Sequence, residues 1–201
     1  MFFNAINIAL ESGYKKILKA FEGSGSWEAA WHAISADEKK NIRPEVEWER
    51  MKKLGMTAQI HSRPLIQGAL MHKVHGDRAW DMPPFRRVQD SGILWGLGSD
   101  ATAVTTSNPF YTLGFAVTGK MVGGKKVNRQ SITREEALIA HTRSTAYILF
   151  QEGNLGSLQN GKYADLLVLD RDYLKVPADQ IKDIRPLMTM VGGKIVYQAK
   201  N

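Results

Sequence analysis

The chain has 201 residues, 43% of them hydrophobic and 23% charged, which excludes wholesale disorder, and no apolar run approaches the roughly 20 residues of a membrane-spanning helix. Cysteine is absent, which excludes disulfides and thiolate chemistry, and the first residues lack a signal-peptide pattern, so we expect a cytoplasmic protein without a membrane partner. The formal net charge is +7, but the basic residues form scattered pairs without any known nucleic-acid-binding motif, so we expect a solvated surface and no nucleic-acid partner.

The first third of the chain is predicted to be helical. Residues 7–21 place apolar side chains at helical spacing. Ser35 with Glu38 forms a capping-box pattern for a second helix, which Pro44 interrupts or restarts. The amphipathic pattern then continues to Gly55, a plausible C-terminal stop.

Two strands are predicted in the middle of the chain. Residues 56–61 alternate apolar and polar side chains, which indicates a half-buried strand. A helix over residues 85–91 ends at Gly92 and leads to the continuous apolar run of residues 93–98, as expected of a covered strand. This repeated order of helix, glycine, strand and loop is typical of a parallel α/β sheet or barrel.

Helices and a β-hairpin are predicted for the last part. One helix is expected over residues 108–122, followed by a turn at residues 123–126. A second capping box, Thr133 with Glu136, opens a helix expected to run to Phe150. The last segment reads as a small β unit of short apolar strands, 163–170 and 187–197, the second folded at a Gly-Gly turn.

Asp100 is the residue whose position is most informative about chemistry. It follows directly on the apolar run that ends in Gly98 and Ser99. The carboxyl ends of the strands carry the catalytic groups of (β/α) barrels, and a carboxylate there can ligate a divalent metal and accept a proton. The alternative is that Asp100 caps a turn or the helix that follows. The spacing alone leaves both interpretations open.

Several motifs, in their order along the chain, resemble the C-terminal end of the amidohydrolase superfamily. They are Gly98-Ser99-Asp100-Ala101, the segment 131–138 (SITREEAL), the segment 155–170 (LGSLQNGKYADLLVLD) and the segment 184–197 (IRPLMTMVGGKIVY). The resemblance is greatest to the amidohydrolase 3 group of metal-dependent hydrolases. It covers residues 92–198, with weaker similarity back to about residue 30.

The resemblance implies the fold class and the site. The expected fold is α/β, with a partial (β/α) TIM-type barrel over residues 1–154 and part of a small β-sandwich over residues 155–201. Asp100 then matches the aspartate after the eighth barrel strand, which binds metal in many members and shuttles a proton of the attacking water. His32 resembles the metal-ligand histidine after strand six, with a structural histidine as the alternative. His61 would end strand seven and either faces substrate or is simply a polar strand-end residue.

The resemblance also implies a reaction: hydrolysis of non-peptide, amide-type C–N bonds in a small-molecule substrate, with a divalent metal, zinc by expectation. The family's His-x-His pair is absent, and a closed barrel needs roughly 250 residues. We therefore expect an incomplete C-terminal fragment that forms a homo-oligomer or binds a complementing N-terminal segment. The alternative is a catalytically inactive remnant that acts as an interaction or structural protein.

The other histidines are not expected to bind metal. His72 and His75 have the i, i+3 spacing of a helical metal chelate, but no carboxylate pattern accompanies them, which favours a surface pair. His141 falls within a predicted helix and is expected to be a packed or exposed helix residue.

Overall fold

The computed structural model describes residues 44–101 and 105–200, and for residues 44–47 the backbone alone. The helices predicted over residues 7–21 and after Ser35 therefore lie outside the described residues. By its internal contacts the chain divides into residues 1–47 and residues 48–201, and the fold below is that of the second unit.

The elements alternate between helix and strand before a final antiparallel sheet. In chain order they are α1 (Pro44–Lys53), β1 (Ala58–His61), α2 (Pro64–His75), a 3₁₀ helix (Gly76–Asp81), α3 (Phe85–Ser91), β2 (Trp95–Gly98), α4 (Pro109–Thr118), α5 (Arg134–His141), α6 (Arg143–Ile148), β3 (Leu166–Leu169), a second 3₁₀ helix (Ala178–Asp183), β4 (Pro186–Val191) and β5 (Lys194–Gln198).

One predicted boundary rests on glycine and is confirmed. The described part of helix α1 starts with Pro44, whose fixed φ suits the first helical turn. Helix α3 ends at Ser91 because Gly92 takes a left-handed conformation with φ of 69°.

Strands β1 and β2 pair in parallel, as predicted from the order of the elements. Ala58 is opposite Trp95 and His61 is opposite Gly98. Trp95 and Leu97 are buried, at 3% and 1% exposure. On the buried side, the rings of Phe85 and Trp95 stack with their centroids 5.8 Å apart, so β2 lines one side of the hydrophobic core.

Two predicted helices were wrong in extent. The helix expected over residues 108–122 ends at Thr118, because Gly119 turns the backbone left-handed (φ 67°) and its carbonyl accepts the N–H of Val127. The helix expected to reach Phe150 is interrupted at Thr142, where φ is −117° and ψ is −80°. The Thr142 hydroxyl donates to the Leu138 carbonyl at 2.7 Å, a back-bond that bends helices.

The C-terminal segment forms a three-stranded antiparallel sheet in the order β3-β4-β5. The predicted hairpin is confirmed, with Gly192 and Gly193 at φ of 56° and 77°. The Asp165 carboxylate accepts the Gly192 N–H at 2.6 Å and ties this turn to the segment before β3. All of β5 is exposed, and the described residues contain no second sheet packed on this one.

Within the described part of the chain, no helix combines the length and the apolar character needed to cross a bilayer.

Candidate functional site

Two polar side chains come to one edge of the parallel sheet. His61 is the last residue of β1 and is paired with Gly98, the last residue of β2. Asp100 follows two residues later. Since neighbouring strands lie about 4.8 Å apart and parallel strands end at the same edge, the structure brings His61 and Asp100 to a common edge.

The backbone at Asp100 is unusual. Its φ is 55°, a left-handed conformation that non-glycine residues seldom adopt and that aspartate tolerates better than most. The loop around it is closed by two hydrogen bonds: Ala101 N–H donates to the Ser99 hydroxyl at 3.2 Å, and the Thr105 hydroxyl donates to the Ser99 carbonyl at 2.8 Å. Asp100 itself is exposed.

The structure does not support Asp100 as the cap of the next described helix. That helix, α4, is capped by Asn108, whose side-chain oxygen accepts the Phe110 N–H at 3.0 Å. The Asp100 carboxylate has no hydrogen bond to another described residue.

His61 has an orientation that favours hydrogen-bond donation. Its Nδ1 accepts the Arg63 N–H at 3.3 Å, which assigns the proton of the neutral ring to Nε2. The side chain is exposed, so the Nε2–H can donate to a ligand at the same edge as Asp100.

The donor types at this edge fit a divalent cation, but they are few. Carboxylate oxygen and imidazole nitrogen are suitable ligands, and catalytic zinc sites use three protein ligands. No group of three or more metal-binding side chains occurs among the described residues. His32, the second predicted ligand, lies outside them.

The other described histidines have structural partners or lie on the surface. The His72 Nε2–H donates to the Val127 carbonyl at 2.7 Å, and its ring contacts Trp80 edge-on at 4.5 Å. The His141 Nδ1–H donates to the Leu97 carbonyl at 2.8 Å and so attaches α5 to β2. His75 is exposed.

Gln59 is a polar neighbour of His61 on β1 that was not singled out from the sequence. Gln59 and His61 lie on one face of β1, while Ala58 and Ile60 lie on the opposite face against the core. The alternation in Ala58-Gln59-Ile60-His61 contained this signal, because side chains two residues apart in a strand share a face.

A bidentate ion pair between Arg86 and Glu136 joins two of the helices that pack near β2. The Arg86 guanidinium binds both oxygens of the Glu136 carboxylate, at 2.9 and 2.8 Å, which joins α3 to α5. This contact lowers the pKa of Glu136 and raises the pKa of Arg86. Glu136 also accepts the Thr133 N–H at 2.8 Å, which completes the predicted capping box.

Two curated relatives are similar to part of the chain. Over 116 residues it is 31% identical to N-substituted formamide deformylase of Arthrobacter pascens, covering 57% of this chain and 21% of that protein. Over 90 residues it is 38% identical to imidazolonepropionase of Syntrophobacter fumaroxidans, covering 43% of this chain and 19% of that protein. The matches thus span about a fifth of each relative's length.

Solved structures share the fold at lower sequence identity. An uncharacterized metal-dependent hydrolase from Pyrococcus horikoshii OT3 superposes with a TM-score of 0.55 at 22% identity, covering 68% of this chain and 28% of that chain. One from Pyrococcus furiosus gives 0.52 at 24% identity, covering 67% of this chain and 27% of that chain. These neighbours support the mixed α/β fold.

The family assignment rests on a match to nearly the whole chain. The sequence model described as "Amidohydrolase family" matches residues 12–197, which include β1, β2 and Asp100. The chain therefore belongs to the amidohydrolase family, and by this resemblance it is related to enzymes.

Proposed function

We propose that this chain is part of a metal-dependent hydrolase that cleaves amide-type C–N bonds of small molecules, with Asp100 at its site. The observation that carries the proposal is the shared edge of β1 and β2, where His61 and Asp100 lie at the carboxyl ends of parallel strands. The name of the formamide deformylase relative supports a C–N bond as the target.

The proposed architecture is a partial (β/α) barrel over residues 1–154 with part of a β-sandwich over residues 155–201. The parallel β1–β2 pair with intervening helices supports the first part. The antiparallel β3-β4-β5 sheet supports the second, since a sheet with apolar side chains exposed needs a covering layer.

We propose Asp100 as a protein ligand of a divalent cation, with zinc as the expected metal; the predicted ligand His32 lies outside the described residues and stays a prediction. When bound, such a cation would polarise the scissile carbonyl and lower the pKa of water. The Asp100 carboxylate accepts a proton from the water that attacks the carbonyl carbon, and returns it to the nitrogen as the C–N bond breaks. The His61 Nε2–H donates a hydrogen bond to the substrate and orients it.

We propose that the further ligands, which the described residues do not supply, come from another segment. The relatives are about five times longer than the matched region, so a complementing N-terminal segment is the proposed source, with a second copy of this chain as the other. A shared site of this kind would leave Asp100 as one ligand among several.

The metal content of the purified chain tests this proposal. We expect near-stoichiometric zinc or another divalent ion that is lost in Asp100→Ala and retained in Asp183→Ala, a matched change at an exposed aspartate in the second 3₁₀ helix. Metal in the chain would justify screening N-acyl and N-formyl amines as substrates. The same low metal content in all three proteins would contradict a metal site in this chain.

A second function, a non-catalytic interaction protein, is favoured by one observation. The described residues hold no cluster of three metal-binding side chains, while several large apolar side chains are exposed on α2 and on the C-terminal sheet. Absence of metal in the test above, together with self-association, would support this alternative.

A further inference from the structure

A half-open cleft lies between α4, the second 3₁₀ helix and the turn that follows α4. Its volume is about 210 Å³. The turn is a tight hairpin over residues 120–126, in which the Met121 N–H donates to the Lys125 carbonyl at 2.8 Å. Neither His61 nor Asp100 lines the cleft, so it is separate from the edge of the parallel sheet that carries them.

The inner wall of the cleft is apolar. Leu65 and Phe115 line it with exposures of only 2% and 1%, and Tyr111 and Met121 pack against the same hydrophobic core. An engineered apolar cavity of roughly 150 Å³ holds one benzene molecule. The larger volume of this cleft therefore has room for one aromatic ring, whose burial against these side chains is favourable.

The rim of the cleft is charged. The Lys120 Nζ donates to both carboxylate oxygens of Asp179, at 2.7 Å each, so these two charges balance. The Lys182 Nζ donates to the Val122 carbonyl at 3.3 Å, which leaves two of its three N–H groups for other acceptors. Lys182 forms no ion pair within the described part of the chain, and the rim therefore keeps one positive charge.

We propose that this cleft binds a small monocarboxylate that carries an aromatic ring. The ring packs against the apolar inner wall, while the carboxylate accepts hydrogen bonds from the Lys182 ammonium. One negative charge balances the rim, whereas the Asp179 carboxylate repels a dianion such as a phosphate monoester. The site is separate from the edge that carries Asp100, so this inference does not depend on the proposed hydrolase activity.

An NMR titration of the ¹⁵N-labelled full chain with phenylacetate tests the proposal. We expect saturable shifts of the backbone N–H signals of Lys120, Met121 and Lys182, while those of β5 stay constant. Phenylacetamide, the neutral isostere, should bind about fivefold more weakly, because a partly exposed ion pair strengthens binding by about that factor. Phenyl phosphate, a dianion at about pH 8, should also bind more weakly than phenylacetate.

Three variants test the charges at the rim. Lys182→Met should weaken phenylacetate binding by about fivefold and leave phenylacetamide binding unchanged. Lys194→Met removes the same charge from an exposed position on β5 and should affect neither ligand. In Asp179→Asn, the affinity for phenyl phosphate should rise more than that for phenylacetate, because the repelling carboxylate is gone and the Lys120 ammonium is released.

Phenylacetamide binding also reports that each variant is folded. None of these measurements uses metal or turnover, so their outcome is independent of the test of the proposed function. Three results would overturn the proposal: no saturable shift at the cleft, equal affinities for phenylacetate and phenylacetamide, or equal losses of phenylacetate affinity in Lys182→Met and Lys194→Met.

Discussion

At the scale of single residues, Asp100 combines an exposed carboxylate with a left-handed backbone. A side chain that served only the fold would be expected to cap a helix or to form an ion pair. In the described structure the residue that caps α4 is Asn108, not Asp100. No hydrogen bond joins the carboxylate to another described residue, and the backbone conformation would suit glycine at least as well.

This separation of roles predicts the behaviour of two variants. Asp100→Gly should unfold at the same or a higher denaturant concentration than the native chain, because glycine relieves the left-handed strain by about 0.5–1 kcal/mol. Asp100→Asn should change the free energy of unfolding by less than about 0.5 kcal/mol. Both should lose bound metal. A loss of more than about 2 kcal/mol in Asp100→Asn would instead indicate a structural role.

Asp81 predicts an acid-sensitive contribution to stability. Hydrogen bonding from Arg129, with further help from Gln130 and Arg87, lowers the pKa of Asp81 from its usual value of 3.8 to about 2. A carboxylate whose pKa is lower in the folded state stabilises fully above its unfolded pKa, and loses this contribution as the pH falls toward the folded pKa.

The free energy of unfolding should therefore fall by about 1–2 kcal/mol through this group between about pH 4 and pH 2. Asp81→Asn should remove that part of the pH dependence, measured by urea unfolding at a series of pH values. Asp183→Asn, at an exposed site, serves as the control and should keep the native slope. If Asp81→Asn and the native chain have parallel profiles, the contact does not contribute to stability.

The surroundings of Gly119 predict that one added methyl group strongly lowers the stability of the chain. The φ of Gly119 is 67°, and a Cβ there would collide with the carbonyl oxygen of Asn128, a backbone atom that cannot move independently. Gly119→Ala should cost about 2–4 kcal/mol in chemical denaturation. Gly123→Ala is the matched control, because a Cβ there meets nothing within 4 Å and the backbone is not left-handed. Equal stabilities of the two variants would contradict the close approach.

At the scale of elements, the contact between Arg86 and Glu136 decides how α3 and α5 support β2. Both side chains are largely covered, with exposures of 34% and 25%, and Glu136 also closes the capping box at the start of α5. Its removal would leave the Arg86 guanidinium partly buried with one carboxylate fewer, which costs more than the contact itself contributes.

Glu136→Gln should therefore destabilise the chain by about 1–3 kcal/mol. Glu135→Gln, the exposed neighbouring residue in the same helical turn, should cost less than about 0.5 kcal/mol. Thermal and denaturant unfolding of the pair measure the difference. A difference smaller than about 0.5 kcal/mol would indicate that the contact is replaced by solvent without loss.

At the scale of the whole molecule, exposed apolar side chains predict association. Ile66, Leu70 and Val74 lie at i, i+4 and i+8 on α2, with exposures of 48%, 57% and 64%. Such a strip on one helix face is typical of a surface that binds another surface. Large apolar side chains are also exposed on β4 and β5, at Leu187, Ile195 and Val196.

Sedimentation velocity should show concentration-dependent oligomers that Leu70→Lys reduces. Gln67→Lys adds the same charge at a polar exposed position of α2 and should leave the distribution unchanged. A monomer at all concentrations, or equal effects of both variants, would contradict association through this strip.

Local signals predicted many elements of this fold. Pro44, Gly92 and the Gly192-Gly193 pair act through backbone conformation, and Thr133 with Glu136 acts through hydrogen bonds within one turn, so each operates over a few residues. The break at Thr142 was missed because the helical pattern of apolar residues continues through it.

The sequence by itself determined the family, the alternation of helix and strand, and the position of Asp100 after an apolar strand, because these depend on motifs and on local periodicity. Tertiary structure decided what required distant residues to meet. The β1–β2 register brings His61 to the edge of Asp100, the His141 ring reaches the Leu97 carbonyl, and the amide of Gln59 lies over the glycines of β2. Such contacts depend on packing across the chain, and no local pattern specifies them.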